Sequence, residues 1–207
     1  MKGKFITLEG PDGSGKTTVS LKIVSLLQQR GYKVMLTREP GGVDIAEQIR
    51  QIILDKKNTA MDAKTEALLY AAARRQHLIE KVLPALKEGY IVICDRFVDS
   101  SLAYQGVGRQ LGIDKVYAMN LFAIEDIMPD KTIFFDIDYM QGLERIKQND
   151  READRLDNDS LDFHRMVYEG YLQICDKYPE RVVKIDASLE LEQVVTQAME
   201  IIDQILC

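Results

Sequence analysis

Residues 10–17 read Gly10-Pro11-Asp12-Gly13-Ser14-Gly15-Lys16-Thr17, and this stretch decides the fold. It fits the pattern G-x-x-x-x-G-K-[ST], a loop between a strand and a helix whose backbone N–H groups enclose a phosphate. An apolar run at 5–8 precedes the loop and a helical pattern at 17–30 follows it, as the motif requires. We therefore predict a nucleotide-phosphate site at residues 10–18, with Thr18 on the first turn of the helix.

The residue types in the loop suit this chemistry. Glycines let the backbone approach a phosphate closely, and the start of the helix adds partial positive charge. Lys16 is expected to reach the β- and γ-phosphates, and the hydroxyl of Thr17 is expected to hold Mg²⁺. The alternative, a glycine-rich turn with no ligand, is disfavoured because the motif is complete and lies in the right setting.

Composition restricts the function classes. The chain has 207 residues, 46% of them hydrophobic, which is enough for one domain with a sizeable core. Its 27 basic and 33 acidic residues give a net charge of −6, which disfavours a nucleic-acid polymer as partner and favours a small anionic ligand. No apolar run approaches the ~18 residues of a membrane span. Three cysteines without metal-ligand spacing and the lack of a signal peptide indicate a reducing cytoplasm.

Short apolar runs alternate with amphipathic helical stretches along the chain. Strands are predicted at 5–8, 33–37, 90–94, 132–136 and 182–185, most of them apolar throughout, as in parallel sheets covered on both faces. Helices are predicted at 17–30, 44–54, 62–88 with a break near Pro84, 113–124, 139–149, 159–177 and 189–206. The alternation predicts a three-layer α/β fold with a five-stranded parallel sheet, in which ligands bind beyond the carboxyl ends of the strands.

Charged clusters follow the second and third predicted strands. Asp95 comes directly after the apolar residues 91–94, where a phosphate loop needs a carboxylate near its Mg²⁺, so Asp95 is the candidate metal-side residue. Arg96 is expected to point to the other side of the chain, and with Arg38 it could form a fork for a second phosphate. Ordinary ion pairs at the rim of the sheet are the alternative for both arginines.

Together these segments closely resemble the thymidylate kinase family of the bacterial type. The resemblance covers nearly the whole chain, and it is carried by residues 9–18 (EGPDGSGKTT), 37–42 (TREPGG), 69–74 (LYAAAR), 95–97 (DRF) and 99–106 (DSSLAYQG). It implies a P-loop nucleoside monophosphate kinase fold and phosphoryl transfer from ATP to dTMP with Mg²⁺, giving dTDP and ADP. It also implies a homodimer with one site per subunit.

The resemblance assigns an acceptor site as well. Tyr70 and Arg74 lie four residues apart on one helix face, where a ring can stack on a pyrimidine while a guanidinium reaches a carbonyl. Gln105 carries both a donor and an acceptor for the edge of thymine. By resemblance, Arg74 and Gln105 contact the base, Arg38 and Arg96 hold the acceptor phosphate, and Tyr104 lies beneath the ribose. The substrate-binding set is Asp12, Arg38, Arg50, Tyr70, Arg74, Arg96, Ser101, Tyr104 and Gln105. Plain core packing is the alternative for the two tyrosines.

No general base is required, because the second pKa of a phosphate monoester is near 6 and the acceptor is already an anion at neutral pH. Catalysis then consists of alignment and cancellation of charge, with Lys16 and Arg96 as catalytic residues. Relatives with an arginine directly after the loop aspartate use it on the transferring group, but here that position is Gly13. The family comparison therefore points to a mobile lid at about 145–157, with Arg151 as the catalytic arginine and Arg155 as the second choice, binding ATP. A solvated helix face is the alternative for this mixed-charge run.

Other functions share part of this pattern. A P-loop kinase for another nucleoside monophosphate or small acceptor would differ only in the acceptor pocket. A GTP-dependent switch would carry an N-K-x-D motif, which the sequence lacks. His77 and His164 have no neighbours in sequence that suggest a triad or a metal site, so we interpret both as structural.

Overall fold

The computed structural model describes residues 3–125, 127–148, 155–156 and 159–206. Within these residues the apolar runs form one five-stranded sheet in the order β2-β3-β1-β4-β5, with all neighbouring strands parallel. The strands are β1 (Lys4–Glu9), β2 (Val34–Arg38), β3 (Ile91–Asp95), β4 (Lys131–Asp136) and β5 (Val182–Asp186). The predicted three-layer α/β fold with a five-stranded parallel sheet is confirmed.

Helices cover both faces of the sheet, because the strands are apolar on both. The helices are α1 (Lys16–Gln29), α2 (Asp44–Leu54), α3 (Ala63–His77), α4 (Leu83–Lys87), α5 (Val98–Ser101), α6 (Ile113–Ile124), α7 (Tyr139–Gln148), α8 (Leu161–Lys177) and α9 (Leu191–Leu206). From β1, Ile6 and Leu8 pack in the cluster with α1 and α9, whereas Phe5 packs in the cluster on the opposite face. Each such apolar side chain contributes about 1.5–3 kcal/mol by burial.

Register places the chemistry-bearing strand ends side by side. Leu8 of β1 lies opposite Asp95 of β3, and Arg38 of β2 lies opposite Asp95 from the other side. The phosphate loop follows β1 directly, so its residues lie above the middle of the sheet. All three strand ends therefore open into one region.

Two parts of the helical prediction were wrong in detail. The predicted break near Pro84 occurs earlier, as a π-helical turn at Leu78–Val82, and Pro84 itself lies in the first turn of α4. A proline is compatible with the first turn of a helix because the N–H that it lacks has no partner there in any case.

The sequence pattern also missed the helical segment 98–108, which comprises α5 and a π-helical turn at Leu102–Gly108. Its glycines and serines have low helix propensity. It is helical because it packs closely against Gly170 of α8, where a Cβ atom would lie 3.1 Å from the Cα of Ala103 and 3.0 Å from the Cβ of Val107. Tertiary packing has overridden local preference.

Candidate active site

A cavity of about 540 Å³ opens at the carboxyl ends of β1, β2 and β3. It is lined by most of the residues that the sequence singles out, from the phosphate loop and from the acceptor set. These are Asp12, Gly13, Ser14, Gly15, Lys16, Thr17, Thr18, Arg38, Arg50, Tyr70, Arg74, Asp95, Arg96, Ser101, Tyr104 and Gln105. Gly10, Pro11 and Arg155 do not line it. The fold thus joins a phosphate-binding end and a pocket of aromatic, amide and guanidinium groups in one space.

The phosphate loop has the backbone geometry that its glycines permit. Gly10, Gly13 and Gly15 all have positive φ angles, of 150°, 76° and 88°. Helix α1 begins at Lys16, whose ammonium folds over the loop and donates to the carbonyl oxygens of Gly10 at 3.0 Å and Pro11 at 2.9 Å. Burial and, next, the nearby charge of Arg96 lower the pKa of Lys16 to about 8 against the opposing effect of its acidic neighbours.

Gly13 is in contact with helix α7. A Cβ atom at Gly13 would lie 2.1 Å from the carbonyl oxygen of Gly142, and one at Gly142 would lie 2.5 Å from the carbonyl oxygen of Asp12. Real Cβ atoms do not approach backbone this closely. The loop at this position therefore has no room for a side chain, and in particular none for an arginine.

Asp12 and Arg96 form the central ion pair of the cavity. Arg96 Nη2 donates to Asp12 Oδ1 at 2.6 Å, and the hydroxyl of Tyr104 donates to Asp12 Oδ2 at 2.8 Å. Although burial acts to raise the pKa of Asp12, the charges of Arg96 and Lys16 and the Tyr104 hydrogen bond hold it well below its usual range. Asp12 is therefore ionised at neutral pH and fixes the guanidinium of Arg96.

Arg96 is held from its other side by residues that the sequence interpretation did not assign. Its Nη1 donates to Ser100 Oγ and to the hydroxyl of Tyr171, both at 3.0 Å, and these two hydroxyls in turn donate to Glu9 Oε2. Glu9 Oε1 accepts the backbone N–H of Phe97 at 2.7 Å, directly after Arg96, which has a positive φ of 69°. Glu9 therefore supports both the strained backbone and the side chain of Arg96. Glu9 is the last residue of β1 and directly precedes the phosphate loop, and this position is the only sign of it in the sequence, which does not identify its partners.

Thr17 and Asp95 form an oxygen pair beside the loop. The hydroxyl of Thr17 donates to Asp95 Oδ2 at 3.3 Å. The other carboxylate oxygen, Oδ1, is buried and has no hydrogen-bond partner among the described residues. A hydroxyl with a carboxylate whose second oxygen is unpaired fits a hard cation such as Mg²⁺, which prefers oxygen ligands.

Arg74 also lines the cavity and is almost fully buried, 2% exposed. Its Nε donates to Glu39 Oε2 at 2.7 Å and its Nη2 to the carbonyl oxygen of Phe97 at 2.8 Å. Its Nη1 donates to Ser101 Oγ at 3.1 Å and to Asn120. Among the described residues these contacts use four of the five N–H groups of the guanidinium, so that one remains for a ligand.

Glu39 also contacts His77, one of the two histidines interpreted as structural. His77 Nδ1 lies 2.9 Å from Glu39 Oε1, and its Nε2 lies 2.7 Å from Thr37 Oγ1. Cys94 lies close to both, but its thiol donates to the carbonyl oxygen of Arg96. Both ring nitrogens of His77 therefore have polar partners. Because Glu39 also pairs with Arg74, His77 supports the position of the Arg74 side chain through Glu39.

Arg38 and Arg50 lie at the rim. Arg38 Nη2 pairs with Glu47, at 2.9 Å from Oε1, while Arg38 and Arg50 both donate to the carbonyl oxygen of Pro40. The side chain of Arg38 is 46% exposed. Arg38 and Arg96 line the same cavity, and their joint role in binding an acceptor phosphate stays a prediction.

Of the two predicted lid arginines, Arg151 lies outside the described residues. Arg155 is described. Its guanidinium donates to the carbonyl oxygen of Ile53 at 2.7 Å and to Glu66 Oε2 at 2.5 Å. Its assignment to ATP stays a prediction, and it would require the Glu66 pair to open. Arg145, at the start of the same segment, does line the cavity.

The chain is similar to known proteins over nearly its whole length. A family model described as thymidylate kinase matches residues 8–198. The chain belongs to the thymidylate kinase family. It is 60% identical over 207 residues to the thymidylate kinase of Bacillus velezensis, with 100% of this chain and 98% of that protein covered. It is 57% identical over 208 residues to that of Pediococcus pentosaceus, with both chains covered in full.

A solved structure agrees with this membership in the thymidylate kinase family. The crystal structure of thymidylate kinase from Ehrlichia chaffeensis superposes with a TM-score of 0.81 at 32% identity, covering 98% of this chain and 100% of that one. The predicted family and fold are therefore confirmed. None of the helices that the structure describes combines the length and apolar character of a bilayer span.

Proposed function

We propose that the protein transfers the γ-phosphoryl group of ATP to the 5′-phosphate of dTMP, giving dTDP and ADP. The observation that carries the proposal is the shared cavity, which is lined both by the phosphate loop and by Arg74, Gln105 and Tyr70. Membership in the thymidylate kinase family over nearly the whole chain supports it.

The chemistry is one of charge and alignment. The acceptor phosphate is a dianion at neutral pH and needs no base, so the barrier lies in bringing two anions together. Lys16 and the loop N–H groups bind the donor phosphates, and Arg96, fixed by Asp12, faces the acceptor phosphate together with Arg38. Removal of one preorganised hydrogen-bond donor from an oxyanion hole costs about 2.7–4 kcal/mol, and we expect the loss of one of these cations to cost an amount on this order.

Thr17 and Asp95 are the residues that would hold Mg²⁺. When bound there, the ion supplies positive charge to the phosphate oxygens of ATP. The two protein oxygens orient the nucleotide relative to β1 and β3, and the loop keeps water from the phosphates that it encloses.

The transferring group needs a further positive charge, for which Gly13 has no side chain and no room. We propose that Arg151 supplies it from the predicted lid at about 145–157, within a single domain of residues 1–207. Arg145, in the same segment, lines the cavity next to Ile146 and supports the placement of this segment beside the phosphates.

The assembly is proposed to be a homodimer in the cytoplasm. Helices α3 and α6 pack against each other and carry large apolar side chains in solvent, with Leu68 58% and Phe122 91% exposed. An exposed apolar surface of this kind is typical of a subunit interface. Sedimentation equilibrium should give twice the 23.6 kDa chain mass, and a monomer mass would reject the dimer.

An acceptor panel tests the proposed function. ADP release from ATP and Mg²⁺ is measured with dTMP, dUMP, UMP, CMP, AMP, GMP, thymidine and shikimate, with Lys16→Ala as the inactive control. We expect dTMP to give the highest kcat/KM and Lys16→Ala to lose ~100-fold or more in kcat. A higher kcat/KM for any other acceptor would reassign the substrate, and release that no acceptor stimulates would reject the kinase proposal.

A further inference from the structure

Glu66 is a buried carboxylate that does not line the cavity but contacts Gln105, which does. It lies on α3, is 1% exposed and accepts hydrogen bonds from three side chains. Gln105 Nε2 donates to Oε1 at 2.9 Å, Arg155 Nη2 donates to Oε2 at 2.5 Å, and Arg109 donates to both oxygens at 3.3 Å. Nothing in the sequence pattern indicated this residue.

The chemistry of Glu66 fixes which end of the Gln105 amide faces it. Burial acts to raise the pKa of Glu66, but the hydrogen bond from Gln105 and the two guanidinium groups lower it below its ordinary value. An ionised carboxylate only accepts hydrogen bonds, so the Gln105 group that faces it must be the NH₂. The hydrogen-bond network around Gln105 therefore allows only one orientation of its amide.

The carbonyl oxygen of Gln105 is consequently left for the cavity. Gln105 lines the cavity, and among the described residues its amide oxygen accepts no hydrogen bond. Arg74, which also lines the cavity and donates to Ser101 on the segment that carries Gln105, has one N–H group left. Together, Gln105 and Arg74 therefore offer one acceptor and one donor to a bound base.

We propose that Glu66 is a positioning residue that selects the base by holding the Gln105 amide with its oxygen toward the ligand. The inference rests on the proposed function. Thymine and uracil donate from N3–H and accept at O4, which matches an amide oxygen and a guanidinium N–H. Cytosine accepts at N3 and donates from its 4-amino group. Its N3 lone pair would therefore face the lone pair of the Gln105 oxygen, and its amino group would face the N–H of Arg74.

The variant Glu66→Gln removes the negative charge of this side chain and keeps its shape. Arg155 and the Nη2 of Arg109 both donate to Oε2, against the single longer contact of Arg109 Nε at Oε1, so they should hold the new carbonyl oxygen at Oε2 and leave the new NH₂ facing Gln105. Gln105 must then turn its oxygen inward to accept from this NH₂, and its own NH₂ faces the cavity. Base preference should therefore shift toward a ligand that accepts at N3.

The measurement is kcat/KM for dTMP, dUMP and dCMP with the wild type and Glu66→Gln. We expect the dTMP to dCMP ratio to fall by on the order of tenfold or more, because a buried acceptor loses its partner at N3. The dTMP to dUMP ratio should be unchanged, since both bases present the same N3–H and O4. A general loosening of the pocket would not lower the dTMP to dCMP ratio while leaving the dTMP to dUMP ratio unchanged.

Asp159→Asn is the matched control. Asp159 pairs with Arg109, at 2.9 and 2.7 Å, as Glu66 does, but it does not contact Gln105. This variant should leave the dTMP to dCMP ratio within about twofold, as expected for removal of a partly exposed ion pair. In a Gln105→Ala background, Glu66→Gln should cause no further change in the ratio, because the effect passes through Gln105.

Each outcome decides between the alternatives. An unchanged dTMP to dCMP ratio in folded Glu66→Gln overturns the inference while dTMP turnover by the wild type upholds the proposed function, and absent wild-type turnover rejects both. If Glu66→Gln does not fold because two guanidinium groups lose their countercharge, Glu66→Gln/Arg109→Gln is compared with Arg109→Gln. The same fall in the ratio supports the inference, and an unchanged ratio overturns it.

Discussion

At the residue scale, the site is a set of cations that are each held by a different anion or by backbone. Lys16 lies on loop carbonyl oxygens, Arg96 on Asp12, and Arg74 on Glu39. A buried cation without a partner would cost several kcal/mol, so each pair is a condition for placing positive charge in the cavity. The charges are thereby fixed before any substrate binds.

The pKa of Lys16 gives a pH prediction. With a pKa of about 8, Lys16 is charged below that pH and neutral above it. The charged form binds anionic phosphates, so kcat/KM for ATP should be highest below pH 8 and fall as the pH rises through 8, with the slope of one proton. Steady-state kinetics in ATP at saturating dTMP measure this dependence.

Lys16→Arg provides its control, because a guanidinium keeps its charge to above about pH 12. This variant should be less active and should show no such fall. A wild-type kcat/KM for ATP that stays level to about pH 9.5 would contradict a lowered pKa of Lys16 in the form of the enzyme that binds ATP.

The residues that could be predicted from the sequence are those in contiguous motifs. Thr17 and Asp95 could be predicted to lie together although they are far apart in the chain, because a strand end and a loop are brought together by the parallel sheet; that they hold a metal stays a prediction. Glu66 and Glu9 could not be inferred in this way. Their partners Gln105 and Ser100 lie 39 and 91 residues away, and a lone glutamate in sequence gives no sign of such a contact.

At the element scale, helix α7 rests on the phosphate loop through two glycines. The Gly13–Gly142 contact is closer than any side chain would allow, so helix and loop move as one unit or lose their packing. Because α7 leads into the segment 145–157, this contact also sets the position from which that segment starts.

Gly142→Ala tests the contact. Its Cβ would lie 2.5 Å from the carbonyl oxygen of Asp12, so the helix must shift away from the loop. We expect a loss of about 1–3 kcal/mol in the free energy of unfolding, despite the higher helix propensity of alanine. Thermal denaturation and kcat/KM for ATP, with a decrease of roughly tenfold, measure the effect.

Gln141→Ala is the matched control, since Gln141 is the exposed neighbour on the same helix. It should leave both quantities unchanged or raise stability slightly. Equal behaviour of the two variants would show that the close approach of α7 to the loop has no energetic consequence.

The segment 145–157 yields a paired prediction. Arg151→Ala should lower kcat by ~100-fold or more while changing the KM for dTMP little, as for arginines that act on the transferring phosphoryl group. Arg155→Ala should mainly raise the KM for dTMP, because Arg155 contacts Glu66, which in turn contacts Gln105, whereas a rise mainly in the KM for ATP would support its predicted place at the donor. Kinetics of both variants, with circular dichroism to check the fold, measure this; a normal kcat in Arg151→Ala would place the missing charge elsewhere.

At this scale, an element can be predicted from the sequence when the interactions that form it are local in the chain. Strands and amphipathic helices repeat with a local period, and their existence and order were predicted correctly from it. The helical segment 98–108 depends on a contact with α8 more than 60 residues away, so its local sequence is a poor guide. This segment carries Ser101, Tyr104 and Gln105, which the family motif located although the periodicity did not.

At the scale of the whole molecule, the sheet order β2-β3-β1-β4-β5 places the loop after β1 between the residues that follow β3 and helix α7 after β4. The phosphate loop and the residues that follow β3 therefore line one cavity. Because a loop of this motif encloses the donor phosphates, we expect the arrangement to allow transfer between two anions and to disfavour transfer to water.

The fate of the γ-phosphate tests the central claim most directly. ATP labelled in the γ-phosphate is incubated with Mg²⁺, the wild-type protein and an equimolar mixture of dTMP, dCMP, UMP, AMP and GMP, and the labelled products are separated. We predict that the label passes to dTDP in far larger amount than to any other diphosphate, and that little appears as inorganic phosphate. Label found mainly in inorganic phosphate, or mainly in another diphosphate, would contradict the account.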